Sequence, residues 1–200
     1  GALTKSGAGT LTLSGENTYT GVTTISAGTL SVATIGDGGV AGNLGAATNV
    51  ADNLVFDGGT LRYTGAAGST NRLFTLTNNG GSIDSSGTGA LTFTNAGSIA
   101  YGASTATRTL TLTGSADGTL SQVLANNTGA TSLIKSGAGT WTLSGTNTYT
   151  GLTTISAGTL SVATIGDGGV AGNLGAATNV AANLVFDGGT LRYTGAAGST

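Results

Sequence analysis

The start of the chain recurs almost unchanged from residue 131 onward. Residues 1–70 and residues 131–200 are identical at 63 of 70 positions. Self-similarity at one long period is the signature of stacked repeat architectures, in which each unit buries its apolar surface against its neighbours. We therefore expect a continuous solenoid in which residues 1–130 form a first tandem unit and residues 131–200 form part of a second, as a fragment of a longer array.

A shorter rhythm inside the unit predicts β-strands. The phrase Gly-x-apolar-x-apolar occurs at residues 9–13, 28–32, 59–63 and 89–93, and alternation with a period of two is the strand pattern. Clusters of Asn and Gly, as at residues 78–81, mark turns. The strand spacing predicts an all-β fold, a parallel β-helix (β-solenoid) of about 22 residues per coil, with about six coils per unit and nine in the chain. Separate sandwich or barrel domains are the alternative, which the tandem period disfavours.

The differences between the two copies predict which way side chains point. Apolar residues replace each other at two positions, which predicts inward side chains: Leu11 becomes Trp141 and Val22 becomes Leu152. Acidic side chains are lost at two others, which predicts outward ones: Glu16 becomes Thr146 and Asp52 becomes Ala182.

Composition excludes several classes of function. Six basic and eight acidic residues give a net charge of −2, so no basic stripe is available for nucleic acid or an anionic bilayer. The chain has no His and no Cys, which excludes Ser-His-Asp and Cys-His catalysis and the ordinary zinc and haem sites. No apolar run reaches the roughly 18 residues that a membrane-spanning helix needs. We predict no catalytic, cofactor-binding or metal-binding residues and no cofactor.

One segment carries a family resemblance. Residues 3–32, LTKSGAGTLTLSGENTYTGVTTISAGTLSV, and the matching residues 133–162 resemble the autotransporter-associated β-strand repeat, also called the passenger-associated transport repeat. The resemblance implies a right-handed parallel β-helix in a surface-exposed passenger, secreted across the outer membrane through a carboxy-terminal β-barrel. It implies no catalytic residues, because the family repeat is associated with passenger folding and secretion.

The acidic residues are compatible with two chemical roles, catalysis and Ca²⁺ binding, and with a structural role in turns. Asp52 and Asp57 are the closest carboxylate pair and would be needed by a polysaccharide-active β-helix, although the second copy has Ala182 in place of Asp52. Four acids in or near glycine-rich turns could serve Ca²⁺: Asp37, Asp57, Asp84 and Asp117. They are scattered singly, so we favour turn formation over both sites.

Threonine dominates the predicted outer surface. The alternating threonines should share one outward face: Thr10 and Thr12, Thr92 and Thr94, and Thr107, Thr109, Thr111 and Thr113. High β propensity and solubility without charge explain such a face. Ice binding, glycan attachment and contact with a neighbouring fibre or host surface are the functional alternatives, and Asn126 to Thr128 is a single weak glycosylation match.

The remaining conspicuous side chains favour structural roles. Lys5 and Lys135, like Arg62 and Arg192, occupy matching positions and predict exposed ion pairs with acids of a neighbouring coil, each contributing under ~1 kcal/mol. The aromatic residues predict core packing rather than sugar stacking: Tyr19, Tyr149 and Trp141.

These observations lead to one functional hypothesis. The chain is expected to be a stiff structural and adhesive shaft, extracellular on a bacterial cell surface, and not an enzyme. The predicted partners are adjacent repeats of the same chain, with possible self-association into fibres and contact with a host surface or glycan; no nucleic acid and no membrane insertion are expected. The alternatives are a self-assembling filament subunit, an ice-binding threonine face and a polysaccharide-active β-helix.

Overall fold

Short strands make up almost all of the regular structure. The computed structural model describes residues 1–103 and 105–197, and the only helices in those residues are two single 3₁₀ turns, Ala51–Asn53 and Ala181–Asn183. The strands, in chain order, are β1 Leu3–Lys5, β2 Thr10–Leu13, β3 Thr23–Ile25, β4 Thr29–Val32, β5 Leu54–Phe56, β6 Thr60–Tyr63, β7 Gly68–Thr70, β8 Thr75–Leu76, β9 Gly81–Ser85, β10 Leu91–Phe93, β11 Ala100–Tyr101, β12 Arg108–Thr113, β13 Gly118–Leu120, β14 Thr131–Lys135, β15 Thr140–Leu143, β16 Thr153–Ile155, β17 Thr159–Val162, β18 Leu184–Phe186 and β19 Thr190–Tyr193.

The strands form three sheets, which are the three sides of a parallel β-solenoid. The first side has the order β1-β3-β5-β8-β11, the second β2-β4-β6-β9-β12-β14-β16-β18, and the third β7-β10-β13-β15-β17-β19. Every pairing between these strands is parallel. The chain winds past the first, second and third sides in that order, with an irregular segment in place of a strand on one side of several turns, so each turn stacks on the one before it. The predicted all-β parallel solenoid is thus confirmed.

The turns differ in length because loops of different size join the strands. A short turn carries the chain from Thr10 to its sheet neighbour Thr29, whereas a much longer one carries it from Thr29 to Thr60. The residues that the structure describes make about eight turns rather than the nine expected.

The two copies of the repeat occupy different sides of the solenoid. Strand β1 lies on the first side, whereas its counterpart β14 lies on the second; likewise β2 lies on the second side and its counterpart β15 on the third. The unit of residues 1–130 therefore makes five and one third turns rather than the expected six. An average turn thus takes roughly 24 residues, a usual length for one unit of a stacked solenoid. The second copy is rotated one side further round the rod than the first.

Inward side chains of successive turns stack into apolar ladders. On the second side Leu30, Leu61, Ile83 and Leu112 follow one another in register and are fully buried. The rings of three phenylalanines pack edge to face at centroid distances of 5.2 and 6.0 Å, a favoured aromatic geometry: Phe56, Phe74 and Phe93. Burial of these ladders is the main source of stability in such a stack.

Most of the predicted side-chain directions are confirmed. Trp141 is fully buried and Leu11 is half-buried, while the acidic positions and their uncharged counterparts are exposed. The prediction for Val22 and Leu152 is wrong, since Leu152 is 37% exposed. The strand alternation places Thr153 and Ile155 inward, so the residue before Thr153 faces outward.

Candidate functional surfaces

The carboxylates that a catalytic pair would need are engaged in contacts between turns. Asp52 accepts a hydrogen bond from the Thr75 hydroxyl at 3.2 Å. Asp57 accepts from Thr77 Oγ1 at 2.6 Å and from Asn79 Nδ2 at 2.8 Å. Each carboxylate thus binds side chains of the following turn, which supports the structural interpretation.

The other turn acids behave in the same way. Asp37 Oδ1 accepts from the Asn71 backbone N–H at 2.7 Å, and Asp117 Oδ1 accepts from that of Thr140 at 2.8 Å. Among the residues described, no three Asp or Glu side chains gather as a group that could hold a metal ion. These acids join one turn to the next, which is a role that singly placed carboxylates can fill.

The two lysines are buried, contrary to the expected exposed ion pairs. Lys135 is fully buried and Lys5 is 5% exposed. Lys135 Nζ donates to the carbonyl oxygens of Ser136, Gly137 and Ala157 at 2.7–3.1 Å. Burial lowers the pKa of Lys135 to about 8, and the charge of Asp117 opposes that shift. The ammonium ties its own turn to the next one.

Lys5 repeats this arrangement in the first copy. Its Nζ donates to the carbonyls of Ser6, Gly7 and Ala27 at 2.7–3.2 Å. Sequence reasoning missed both sites because the acceptors are backbone atoms, one of them in the following turn.

The arginine prediction holds in one copy only. Arg62 Nε donates to Asp84 Oδ2 at 2.7 Å across two adjacent turns, as the parallel register of the two residues requires. Arg192 instead donates from Nε and Nη2 to the hydroxyl oxygen of Ser161, each at 3.4 Å. Arg62 thus pairs with an acid of the following turn, whereas Arg192 contacts a serine of the preceding turn.

The conspicuous aromatic side chains lie in the core. Trp141 and Tyr149 are fully buried, and Tyr19 is half-buried. Trp141 Nε1 donates to the Thr113 carbonyl at 2.9 Å, while the Tyr149 and Thr153 hydroxyls are 2.8 Å apart. Burial raises the pKa of Tyr149 to about 12, a shift that the Thr153 hydrogen bond opposes. Trp141 and Tyr149 therefore offer no exposed ring face to a sugar.

The outward hydroxyls form ladders on two sides rather than one face. On the second side five successive turns carry Thr10, Thr29, Thr60, Ser82 and Thr111 in register. On the third side four turns carry a similar ladder, which consists of Ser69, Thr92, Thr119 and Thr142. The predicted single threonine face is therefore wrong. Thr10 and Thr12 lie in β2 and Thr109, Thr111 and Thr113 lie in β12, both on the second side, whereas Thr92 lies in β10 on the third side.

An irregular segment in each copy exposes apolar side chains. We call residues 36–50 and residues 166–180 the valine loops; their sequences are identical. Val40 and Val50 are each 56% exposed, and their counterparts Val170 and Val180 are 54% and 57% exposed. Isolated exposed valines are ordinary, but here the same pair recurs at one place in each repeat.

Hydrogen bonds hold the valine loops in a defined shape. Asn43 Oδ1 accepts from the backbone N–H groups of Ala33 and Thr34, and its Nδ2 donates to Gly15. At the tip, the Val40 N–H bonds to the Asp37 carbonyl at 3.1 Å, and Gly39 at φ 89° supplies the left-handed residue that this turn needs. The second copy repeats these bonds through Asn173.

The two valine loops face different directions. The first is bridged to Asn17 and continues toward β7 on the third side. The second is bridged to Asn147, whose turn stacks on Leu124 and the first side. Identical loops thus leave the rod one side apart.

No described helix is long and apolar enough to cross a membrane.

Comparison with known proteins agrees with this architecture. The family model of the passenger-associated transport repeat matches residues 3–32 and 133–162. The adhesin BmaC autotransporter of Brucella suis biovar 1 (strain 1330) is 44% identical over 198 residues, which is 98% of this chain and 5% of that protein. The chain therefore spans about one twentieth of the length of this relative. No solved structure matches the chain.

Proposed function

This chain is an autotransporter passenger repeat protein, and from that premise we propose that it serves as an adhesive shaft on the bacterial surface. The shaft is a three-sided rod with outward hydroxyl ladders and few charges. Its proposed work is to hold exposed binding loops at a distance from the cell, without catalysis. The relative that bears the name adhesin supports this role.

The observation that carries the proposal is the recurrence of the valine loops. Both copies expose the same two valines to nearly the same extent, and side-chain hydrogen bonds hold each loop in place. Pre-organised loops on a rigid scaffold are the usual way in which repeat proteins present binding residues. Repeated weak apolar contacts along one rod gain strength through multivalency.

The rotation between copies determines where these loops point. We take residues 1–130 as the building block. Each block adds five and a third turns, or about 26 Å at ~4.8 Å per turn, and moves the loop one side round. Three blocks make sixteen turns and bring the loop back to its first side after about 77 Å. A rod built in this way displays loops in three directions and meets a surface whichever side faces it.

Adhesion of the purified chain tests the proposal. The chain is coupled to beads, and the number of beads retained on cultured epithelial cells under flow is counted. Replacing all four exposed loop valines with serine should lower retention at least threefold: Val40→Ser, Val50→Ser, Val170→Ser and Val180→Ser.

Leu152→Ser provides the matched control, because this residue is 37% exposed but lies outside both valine loops. The control variant should bind like the parent chain, and thermal unfolding should show that both variants are folded. Unchanged retention of the four-valine variant would contradict the proposed role of the loops.

Self-assembly into a filament is the second candidate. The outward hydroxyl ladders of the second and third sides are uncharged polar surfaces of the kind that neighbouring rods can share. Sedimentation velocity over a hundredfold concentration range distinguishes the two candidates. Oligomers that grow with concentration support the filament, and a constant monomer supports the single-chain shaft.

A further inference from the structure

A buried arginine holds the first valine loop from the turn that follows it. Arg72 is 3% exposed, and its guanidinium donates hydrogen bonds to four backbone carbonyl oxygens of the loop. The acceptors are Gly36 at 3.0 Å, Asp37 at 3.3 Å, Gly45 at 2.8 Å and Ala47 at 2.9 Å. Two of them precede the tip of the loop and two follow it, so one planar group with five N–H donors ties both limbs of the loop together.

The two residues before this arginine add three bonds to the first limb of the loop. Thr70 Oγ1 donates to the Gly36 carbonyl at 2.9 Å. The Asn71 backbone N–H donates to Asp37 Oδ1 at 2.7 Å, and Asn71 Oδ1 accepts from the Gly38 N–H at 2.8 Å. The loop is therefore ordered from outside itself, by the segment of the next turn that carries the arginine.

The backbone of Arg72 is in turn held by a glutamine two turns further on. Gln122 is fully buried, and its Nε2 donates to the Arg72 carbonyl at 2.7 Å. Residues 95–98 lie in the turn between them, since that segment is bonded to the residue before Arg72 on one side and to the residue after Gln122 on the other. The side chain of Gln122 thus spans a whole turn to reach the arginine.

Packing alone does not account for the glutamine at this position. Among the described residues, Gln122 Oε1 has no hydrogen-bond partner although the atom is buried. A buried acceptor without a partner lowers stability, whereas an apolar side chain of similar size carries no such cost. The bond from Nε2 to the Arg72 carbonyl is the interaction that an apolar residue could not supply.

We propose that Arg72 and Gln122 are positioning residues for the first valine loop. Gln122 fixes the backbone of Arg72, and the guanidinium of Arg72 fixes the loop that displays Val40 and Val50. A loop that is ordered before it meets a partner loses less conformational entropy on binding, so this pair determines how well the two valines bind. The inference rests on the proposed adhesive function, but the order of the loop is measurable without reference to adhesion.

Hydrogen exchange of the full chain, followed by NMR, tests the first step. The reporters are amides that bond within the loop: Gly39, Val40 and Gly45. Arg72→Met should speed their exchange about ten- to a hundredfold, because the two limbs lose the group that joins them. Exchange at Thr60 and Thr64, which bond to the preceding turn on the second side, should stay unchanged. Equal acceleration at these two reference amides would show a general loss of stability and would overturn the positioning role.

Gln122→Met tests the second step, since it keeps the length of the side chain but removes the donor. It should speed exchange of the same three loop amides, although the bond that Gln122 makes is to Arg72 and not to the loop. Adding Gln122→Met to Arg72→Met should cause less than about a twofold further acceleration, because the glutamine acts through the arginine. Full additivity of the two effects would overturn the role of Gln122. Arg108→Met, the same substitution at another buried arginine, should leave the three amides unchanged.

Bead retention on epithelial cells connects the pair to adhesion. In a chain with Val170→Ser and Val180→Ser only the first valine loop keeps its exposed valines, and Arg72→Met should lower retention of that chain at least about twofold. If Val40→Ser lowers its retention but Arg72→Met does not, despite a loosened loop, the positioning role is refuted. If neither lowers retention while exchange responds as expected, the adhesive function is refuted and the ordering of the loop by Arg72 stands.

Discussion

Residues 54–63 and residues 184–193 have the same sequence. Each stretch forms two strands, β5 and β6 in the first and β18 and β19 in the second, yet the burial of matching side chains differs greatly. Phe56 is fully buried, whereas its counterpart Phe186 is 55% exposed; Tyr63 is 3% exposed and Tyr193 is 44% exposed. Among the residues that the structure describes, the first stretch has a stacked turn on both sides, whereas β18 and β19 are the last strands of their sheets and have one on a single side. The same residues are thus core or surface according to the number of neighbours.

This difference shows where the stability of the rod lies. Each turn carries only a few inward apolar side chains, and these are fully buried only when the turns above and below cover them. Loops are also ordered by the neighbouring turn, since the guanidinium of Arg72 donates to the carbonyls of Gly45 and Ala47 in the turn before it. Stability is therefore a property of interfaces between turns more than of any single turn.

The largest contrast should come from truncating the two equivalent phenylalanines. Phe56→Ala removes a fully buried ring that packs 5.2 Å from Phe74 and should lower the free energy of unfolding by about 3–5 kcal/mol. Phe186→Ala should cost about 1 kcal/mol or less, because half of that ring is already in water. Urea denaturation measures both, and equal losses would refute the stacking account.

A second contrast concerns the position at which the side chains of the two copies differ most in volume, Leu11 in the first and Trp141 in the second. Trp141 lies in register with Gly118, and a methyl group at Gly118 would come within 2.5–2.6 Å of the indole ring. Gly118→Ala should therefore destabilise the chain by about 1–3 kcal/mol through overpacking. Trp141→Leu restores the residue found at position 11 and makes room for the methyl group.

The double-mutant cycle tests whether the two positions are coupled. Gly118→Ala should cost less in the Trp141→Leu background than in the parent, by at least about 1 kcal/mol. Strict additivity of the two losses would show that the indole does not limit the space at Gly118.

The arginines provide a smaller contrast. Arg62→Ala breaks the 2.7 Å bond to Asp84, whose side chain is only 8% exposed, and should cost about 1 kcal/mol. Arg192→Ala removes only contacts of 3.4 Å to a serine hydroxyl and should stay within about 0.5 kcal/mol of the parent. High salt should reduce the first loss and leave the second unchanged.

The last contrast is a pH dependence that arises from Lys135. Its pKa is about 8 in the folded chain and 10.5 ordinarily. Between those values the unfolded chain holds more protons than the folded one, so the free energy of unfolding should rise with pH, by at most about 1.4 kcal/mol per unit. Tyr149, with a raised pKa of about 12, acts in the opposite direction above pH 10.

Urea denaturation from pH 7.5 to 9.5 isolates the lysine. Lys135→Met should abolish the rise. Persistence of the full slope in Lys135→Met would assign the titration to another group.

Sequence reasoning predicted the features that depend on local pattern. Period-two phrases located strands such as β2, β4, β6 and β10, and the tandem period predicted the parallel stack. Single aspartates in glycine-rich turns were interpreted as structural, and Asp57 and Asp117 do join neighbouring turns. These features depend on residues that are close in sequence or on the repeat itself.

Other features depend on how far the chain travels between strands. The valine loop lengthens the turn that runs from Thr29 to Thr60, and only the sum of all loop lengths reveals the extra third of a turn. Burial of Lys5 and Lys135 follows from backbone carbonyls that converge from two turns, which no residue pattern encodes. The threonines were assigned to one face but belong to two, because the lengths of the loops between β2, β10 and β12 determine which side each strand joins.

The placement of the second copy is the most direct test of the account. The chain has no cysteine, so pairs of cysteines can be introduced on outward positions and treated with a short thiol-reactive cross-linker. The offset of one third of a turn places Thr142 beside Thr119 on the third side. The double variant Thr119→Cys with Thr142→Cys should therefore cross-link efficiently. A unit of whole turns would instead stack β15 on β12, so efficient cross-linking of Thr111→Cys with Thr142→Cys, and not of the first pair, would contradict the account.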